Sequence, residues 1–182
     1  MRIIGRVFFI FGLFLVLVPI IELTSLNMKS QQSLQSWNQS LISSRNVPLT
    51  EVAQGDVIGS LSFQEQQALP VIEGITPAEL ERGLGHDPFS VLPGDVGNCL
   101  IYGHREQYLW SLQYLNLNDL IYIQTETQTL EFKIYDISIM SPTDSRIFKE
   151  TETPTLTLVT CYPFIYFGMA EERYVVKAIL QS

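Results

Sequence analysis

The chain has 182 residues, of which 46% are hydrophobic and 16% are charged, and its formal net charge is −8. This length suits one folded domain with a short appendage, and the hydrophobic content excludes an intrinsically disordered chain. Two cysteines are too few for a disulfide-stapled scaffold, and the acidic balance argues against a nucleic-acid binder.

The charge is divided unevenly along the chain. Residues 1–50 carry four basic side chains and one acidic side chain, a net charge of +3. Residues 51–182 carry seven basic and 18 acidic side chains, a net charge of −11. The sequence therefore consists of two differently built parts.

The N-terminal part is typical of a membrane anchor. No charge occurs in residues 7–21 (VFFIFGLFLVLVPII). Counted from Ile3, with only Arg6 interrupting it, the apolar stretch reaches 19 residues, slightly fewer than the roughly 20 that span a bilayer. Arg2 and Arg6 precede the run, so the positive-inside rule places the N-terminus in the cytoplasm. We predict a signal-anchor transmembrane helix at residues 1–24 in the cell membrane, with the remainder of the chain extracytoplasmic.

A cleaved signal peptide is the competing interpretation, because it shares the charged start and the apolar middle. No persuasive small-x-small cleavage site follows Ile21 in the sequence, and Pro19 and Glu22 lie near where one would fall. The pattern therefore favours a retained anchor.

Residues 25–51 are predicted to form a polar stalk or linker. The segment is rich in Ser, Gln and Asn (SQQSLQSWNQSLISS), and its apolar residues are widely spaced. That spacing permits one weak amphipathic helix, but the composition favours a polar stalk. The folded domain is expected to occupy residues 52–182.

The sequence of this domain reads mostly as short strands. A short helix is predicted from Pro77 to about Gly83, because Thr76 and Glu79 form a capping box around the proline. The strands are predicted, in chain order, at 56–63, 69–72, 98–104, 119–125, 130–140, 155–160 and 174–180. Strands that recur about every ten residues, with one or two short helices, indicate a closed or nearly closed β-barrel.

Cys161 is a candidate nucleophile. It follows a predicted strand and precedes a loop that contains proline, so its thiol can project from a rigid scaffold into a groove. From position alone, a buried core cysteine is an equally good interpretation. Of the two histidines, His104 ends another strand, whereas His86 lies in a turn-like sequence typical of a surface or capping residue. His104 is therefore the candidate base.

Arg173 opens the last predicted strand, 12 residues after Cys161. Its guanidinium could stabilise a developing oxyanion or hold a substrate carbonyl. The alternative is a surface pair with Glu171 or Glu172, which would contribute little net stability.

Cys99 lies on the same predicted strand as His104. Strand alternation turns its side chain to the opposite side, so we expect a small buried hydrophobe and no disulfide with Cys161. The two cysteines and two histidines do not occur at ligand spacing, so no metal and no cofactor are predicted.

The residues singled out above resemble the motifs of sortases. The sequence TLVTC at 157–161 is similar to their TLxTC signature, with Arg173 at the spacing of the family's arginine and His104 on an earlier strand. The passages LPGDVGNCLIYGHR at 92–105 and CYPFIYFGMAEERYVV at 161–176 resemble class D sortases in particular.

Two departures from class D accompany this resemblance, which covers about residues 56–180. Glu106 stands after GHR where class D members often have Asp, and MAEER replaces the usual APxR. Neither departure touches the residues expected to carry the chemistry, but both could alter the groove.

The resemblance implies an eight-stranded barrel with short helices and a thiol transpeptidase activity. Such an enzyme would cleave an LPxTG-like C-terminal sorting signal of secreted surface proteins after Thr. It would then transfer the protein to an amine acceptor of the cell envelope. The resemblance implies that Cys161 is the nucleophile, His104 the general acid/base and Arg173 the oxyanion or substrate-orienting group, with Thr160 in a supporting role.

Two other functions stay open. The same three residues could serve a hydrolytic peptidase of sorting signals, in which water replaces the amine. An anchored β-barrel that binds a surface partner, with Cys161 merely buried, is the non-enzymatic alternative.

Overall fold

Eight strands form one closed barrel within the part of the chain described by the computed structural model, which comprises residues 2–43, 52–63, 67–166 and 168–181. In chain order the strands are β1 Val57–Phe63, β2 Leu69–Glu73, β3 Leu84–His86, β4 Asn98–Tyr102, β5 Leu120–Gln124, β6 Thr129–Met140, β7 Thr155–Tyr162 and β8 Glu172–Leu180. Around the barrel they follow the order β1-β2-β3-β4-β7-β8-β6-β5. The mainly β class and the closed eight-stranded barrel are confirmed.

Strand β3 has no counterpart among the predicted strands. It is only three residues long and contains Gly85, so its sequence is too short to show alternation. A Cβ atom on Gly85 would lie 2.5 Å from the carbonyl oxygen of Gly74, so only glycine allows the backbones to approach this closely. The strand pairs parallel with β2 and antiparallel with β4.

The barrel interior is filled by apolar side chains from alternate positions of the strands, among them Phe63, Ile101, Phe132 and Leu158. Cys99 belongs to this inner core and is 1% exposed, as the alternation of its strand predicts. Burial raises the pKa of its thiol, so Cys99 stays protonated and behaves as a small apolar side chain.

A second apolar cluster lies on the outer face of the same sheet. This outer cluster consists of Leu100, Met140, Ile147, Val159 and Val175. Four of its members come from strands β4, β6, β7 and β8, and Ile147 comes from the connection between β6 and β7. Part of the β4–β7–β8 sheet is therefore buried on both faces.

Hydrogen bonds hold the β6–β7 connection against this outer face. The Asn98 amide donates to the carbonyl oxygens of Ile147 at 2.9 Å and Lys149 at 3.1 Å. The amide oxygen of Asn98 accepts a hydrogen bond from the Thr157 hydroxyl at 2.6 Å. The connection is thus fixed to two neighbouring strands.

Helix α1 runs without interruption from Arg2 to Ser43. Residues 25–43, which belong to the segment predicted as a polar stalk, are thus helical. Leu34 and Trp37 are buried where this part of the helix packs against β1 and β2. No helix in the described residues combines the length and the apolar character needed to cross a membrane. The transmembrane helix predicted for residues 1–24 is therefore not confirmed.

Helix α2, Pro77–Leu80, begins at the predicted capping box and ends three residues before the predicted Gly83. The Glu79 carboxylate accepts hydrogen bonds from the hydroxyl of Thr76 and from its backbone N–H, the latter at 2.9 Å. These bonds hold the pKa of Glu79 below its ordinary value of 4.5.

We predict that Glu79→Ala lowers the free energy of unfolding by about 1 kcal/mol at pH 7, because the first turn of α2 loses its cap. The folded pKa of Glu79 is lowered, so this contribution is present above pH 4.5 and is lost as the pH falls through the folded pKa. Chemical denaturation at several pH values measures it. Glu79→Gln keeps an acceptor and should lose less at pH 7; equal losses in both variants would contradict this explanation.

Candidate active site on the outer face of the barrel

Cys161 lies near the end of β7, on the outer face of the sheet. Leu156 and Leu158 of the same strand point into the inner core, whereas Val159 belongs to the outer cluster. Successive side chains alternate between faces, so Cys161 points the same way as Val159. Its side chain is a free thiol and is partly exposed, in contrast to the buried Cys99. The geometry therefore favours a reactive thiol over a core cysteine at position 161.

Arg173 is the direct cross-strand neighbour of Cys161. The antiparallel ladder between β7 and β8 pairs these two residues, which places their Cβ atoms about 4.5–5.5 Å apart on one face. The hydrogen bonds of Arg173 run from Nη1 to the carbonyl oxygens of Ala170 at 3.2 Å and Glu172 at 2.9 Å. The guanidinium is thus anchored to its own backbone beside the thiol.

His104 reaches the level of Cys161 through the parallel pairing of β4 with β7. That register pairs Tyr102 with Val159, and it continues past the end of β4 because the Gly103 N–H donates to the Val159 carbonyl at 3.2 Å. His104 lies two residues after Tyr102, and Cys161 lies two residues after Val159. The structure therefore brings together the three residues that the sequence singles out.

Thr160 ties the histidine segment to β7. Its side chain is buried, and its hydroxyl donates to the carbonyl oxygen of Gly103 at 2.7 Å. A Cβ atom on Gly103 would lie 2.6 Å from Leu84 and 2.9 Å from Leu109, so a larger residue would displace this segment. Thr160 thus acts on the position of His104 from the interior.

The prediction that His86 is a surface or capping residue is wrong. His86 belongs to β3 and is 1% exposed. Its Nδ1 lies 2.7 Å from the Glu73 carboxylate, and its Nε2 lies 3.0 Å from the Val91 carbonyl. Both ring nitrogens are thus engaged within the fold, so neither is available for proton transfer to a thiol. The sequence pattern fails here because the partner, Glu73, comes from another strand.

A family model of the sortase domain matches residues 63–181, more than half of the chain. The chain belongs to the sortase family. Sortase D of Bacillus subtilis (strain 168) is 28% identical over 150 residues, covering 81% of this chain and 76% of that protein. Sortases are cysteine transpeptidases, and the resemblance to class D is confirmed.

Solved structures agree with this assignment. A sortase D5 transpeptidase of Clostridium perfringens matches with a TM-score of 0.73 and 26% identity, covering 85% of this chain and 99% of that one. Sortase A of Corynebacterium diphtheriae shares the fold, with a TM-score of 0.65, 24% identity and coverage of 84% of each chain. This sortase therefore has the β-barrel fold of its family.

Tyr102 is a residue of this sortase site that sequence reasoning missed. It packs against the outer cluster, and burial raises the pKa of its phenol to about 12, with a further increase from the Asp87 carboxylate. The Arg173 guanidinium lowers the same pKa to a smaller extent. The phenol of Tyr102 therefore keeps its proton at neutral pH on the same outer face as Arg173. The alternation of β4 is the sequence signal that could have identified Tyr102, because it places this residue on the same outer face as Leu100.

Aromatic side chains fill the end of the barrel next to Cys161. The rings of Phe164 and Tyr174 lie 5.1 Å apart between centroids, and Trp110 meets Phe164 edge-on at 6.0 Å. Beyond them, Ile165 and Met169 are strongly exposed. The β7–β8 connection therefore offers an apolar surface beside the thiol.

In the described ranges, no three His, Cys, Asp or Glu side chains converge in a way that could hold a metal ion.

We predict that Thr160→Val lowers the free energy of unfolding by about 1 kcal/mol and also lowers kcat for peptide cleavage, because the Gly103 carbonyl loses its donor. Thr160→Ser keeps the hydroxyl and should retain most of both. Denaturant titration and steady-state kinetics measure the two effects.

Thr155→Val is the matched control for this prediction. Thr155 is also buried on β7 and its hydroxyl donates to a backbone carbonyl, that of Thr153 at 3.0 Å, but it lies at the opposite end of the strand. The control should lose stability and keep kcat. A kcat loss of the same size in Thr155→Val and Thr160→Val would contradict the local role of Thr160.

Proposed function

We propose that this sortase is a membrane-anchored transpeptidase of the cell envelope. It cleaves an LPxTG-like C-terminal sorting signal after Thr and transfers the new carboxyl end to an amine nucleophile. The observation that carries this proposal is the placement of a partly exposed Cys161 directly opposite Arg173 and level with His104 on one face of the sheet.

The first half of the reaction forms a thioester. The Cys161 thiolate attacks the carbonyl carbon of the Thr–Gly bond, and the carbonyl oxygen becomes an oxyanion. As the C–N bond breaks, His104 gives its proton to the leaving amine. The enzyme then holds the substrate through a C–S bond to Cys161.

The second half releases the product. The acceptor amine attacks the thioester carbon, and His104 takes the proton that the amine loses. The C–S bond breaks, and Cys161 leaves as the thiolate. The net result exchanges one amide bond for another, and the two residues return to their starting protonation states.

Arg173 is proposed to stabilise the oxyanion in both halves. A guanidinium keeps its charge at any working pH and has five N–H groups on three nitrogens. Both hydrogen bonds of Arg173 to the backbone come from Nη1. Preorganised donors of this kind typically contribute 10²–10³ in kcat, on the order of 2.7–4 kcal/mol.

The outer face also offers room for the peptide. A cleft of about 460 Å³ lies at the start of β4, lined by Asn98 and Leu100 of that strand and by Phe89 and Phe148 of the flanking connections. The register places it four to six residues along the sheet from Cys161, about 13–20 Å at roughly 3.3 Å per residue. An extended pentapeptide spans about 16 Å. The distance supports a short extended motif as substrate.

The location is proposed from the apolar run at residues 7–21 and the basic residues before it, a pattern that favours a cytoplasmic N-terminus and a barrel on the outer side of the membrane. We expect the full chain to sediment with membranes and to be released by detergent but not by alkaline carbonate. Intact cells should expose the barrel to added protease. Release by carbonate, or complete protection of the barrel, would contradict the location.

The activity is tested with the detergent-solubilised full chain, a fluorogenic LPxTG-containing peptide and a set of amines. The wild type should cleave the peptide and form a peptide–amine product visible by mass spectrometry. Cys161→Ala should abolish cleavage, and His104→Ala and Arg173→Ala should each lower kcat by about 100-fold or more.

Cys99→Ala is the matched cysteine control, because Cys99 faces the inner core, and it should keep its activity. Formation of hydrolysed peptide alone with every amine would favour the hydrolytic peptidase. Retention of cleavage by Cys161→Ala would overturn the catalytic assignment. An unreactive Cys161 thiol in the native wild type would favour the binding module.

A further inference from the structure

We infer that Arg105 is a positioning residue for His104, acting through a two-carbonyl clamp that crosses the candidate active site. The guanidinium of Arg105 donates from Nη1 to the carbonyl oxygen of Pro163 at 2.7 Å and from Nη2 to that of Tyr166 at 2.9 Å. Arg105 directly follows His104, and Pro163 lies two residues after Cys161. One side chain therefore joins the segment of the proposed base to the segment that follows the proposed nucleophile.

The burial of Arg105 shows that this contact is built into the fold. Its side chain is only 10% exposed, and a buried guanidinium needs partners for its N–H groups. Its ion-pair partner is Glu106, whose carboxylate lies 3.7 Å from Nε and is 67% exposed. The screened Glu106 contact contributes little, so the two carbonyls are the contacts that fix the guanidinium.

His104 needs such an anchor because it lies past the end of β4. The ladder between β4 and β7 stops at Tyr102, and beyond it the contacts across the two strands are made by Gly103 with Val159 and Thr160. On the other side, the carbonyl of His104 accepts hydrogen bonds from the N–H groups of Tyr108 and Leu109, both at 3.1 Å. Arg105 supplies the remaining link, to the β7–β8 connection.

The clamp requires arginine rather than any cation. Pro163 and Tyr166 present two carbonyl oxygens from positions three residues apart, and the planar guanidinium reaches them with two different nitrogens. A lysine ammonium is a single donor group on a flexible stem and cannot hold both carbonyls in one fixed geometry. Arg105→Lys thus keeps the charge and removes the clamp.

The inference rests on the proposed function for its kinetic test but has a second readout that needs no substrate. With the full chain and the fluorogenic peptide, Arg105→Lys should lower kcat by about tenfold or more and change KM by less than about threefold, because small displacements of a catalytic group are costly. The second readout is the rate of Cys161 alkylation by iodoacetamide, followed by mass spectrometry from pH 5 to 9. The pH dependence of this rate should differ between Arg105→Lys and the wild type.

Arg82→Lys is the matched control. Arg82 donates from Nη1 to the Gly55 carbonyl at 3.0 Å and so clamps two segments away from Cys161. Its substitution should leave kcat and the alkylation profile within about twofold of the wild type. Both variants are compared at a temperature well below their midpoints of unfolding, so that a stability loss alone does not lower the rate.

A double-mutant cycle shows whether Arg105 acts through His104. Alkylation of Cys161 in His104→Ala and in the double variant His104→Ala/Arg105→Lys should proceed at the same rate, within about twofold. Should Arg105→Lys fold poorly, Arg105→Ala supplemented with methylguanidinium should regain part of the lost rate.

Three results would overturn the inference. The first is an Arg105→Lys variant with the kcat and the alkylation profile of the wild type, and the second is an equal loss of the alkylation rate on Arg105→Lys substitution with and without His104. The third is an Arg105→Ala variant that methylguanidinium does not rescue. A wild type that cleaves no peptide would overturn the proposed function instead, while the alkylation cycle would still report on Arg105.

Discussion

The parallel pairing of β4 with β7 is the constraint on which the candidate site depends. A parallel pair cannot be joined by a tight turn, so the sequence between His104 and Cys161 passes through two further strands before returning. The pairing then places the two side chains at one level of the sheet. The antiparallel pairing of β7 with β8 adds Arg173 from the other side. Three residues spread over 70 positions thus converge through the pairing of strands rather than through proximity in the sequence.

Around this constraint, the fold supports the site from both faces of the sheet. Thr160 acts from inside the barrel on Gly103, and the outer cluster packs on the outer face next to Cys161. Arg105 joins the segment after β4 to the connection after β7 through its two hydrogen bonds. The roles proposed for the chemistry require geometry held to fractions of an ångström, and these contacts are the ones that can supply it.

The sequence predicted the parts of this fold that depend on local pattern. The long strands, the capping box before α2 and the inward orientation of Cys99 all follow from alternation or from residues a few positions apart. Positions at the ends of predicted strands singled out the candidate residues, and the family motifs then decided between the alternatives for their roles. What the sequence did not reveal depends on distant partners: His86 is buried because of Glu73, and Arg105 because of carbonyls 58 and 61 residues later. Likewise, residues 25–43 read as a polar stalk, but Trp37 is buried where this part of α1 packs against the barrel.

The outer cluster has a consequence for how this protein tolerates sequence change. Inner-core residues such as Phe132 need only fill the barrel, and volume-conserving exchanges there are absorbed by repacking. Val159 and Val175 lie on the same outer face as the proposed catalytic side chains, two residues away from them along β7 and β8, so a similar exchange would also change the surface on which a peptide must lie. Natural variation should therefore be freer in the interior of this barrel than on part of its outside. Both sets of side chains are buried, so this difference follows from the face of the sheet on which a residue lies rather than from its depth.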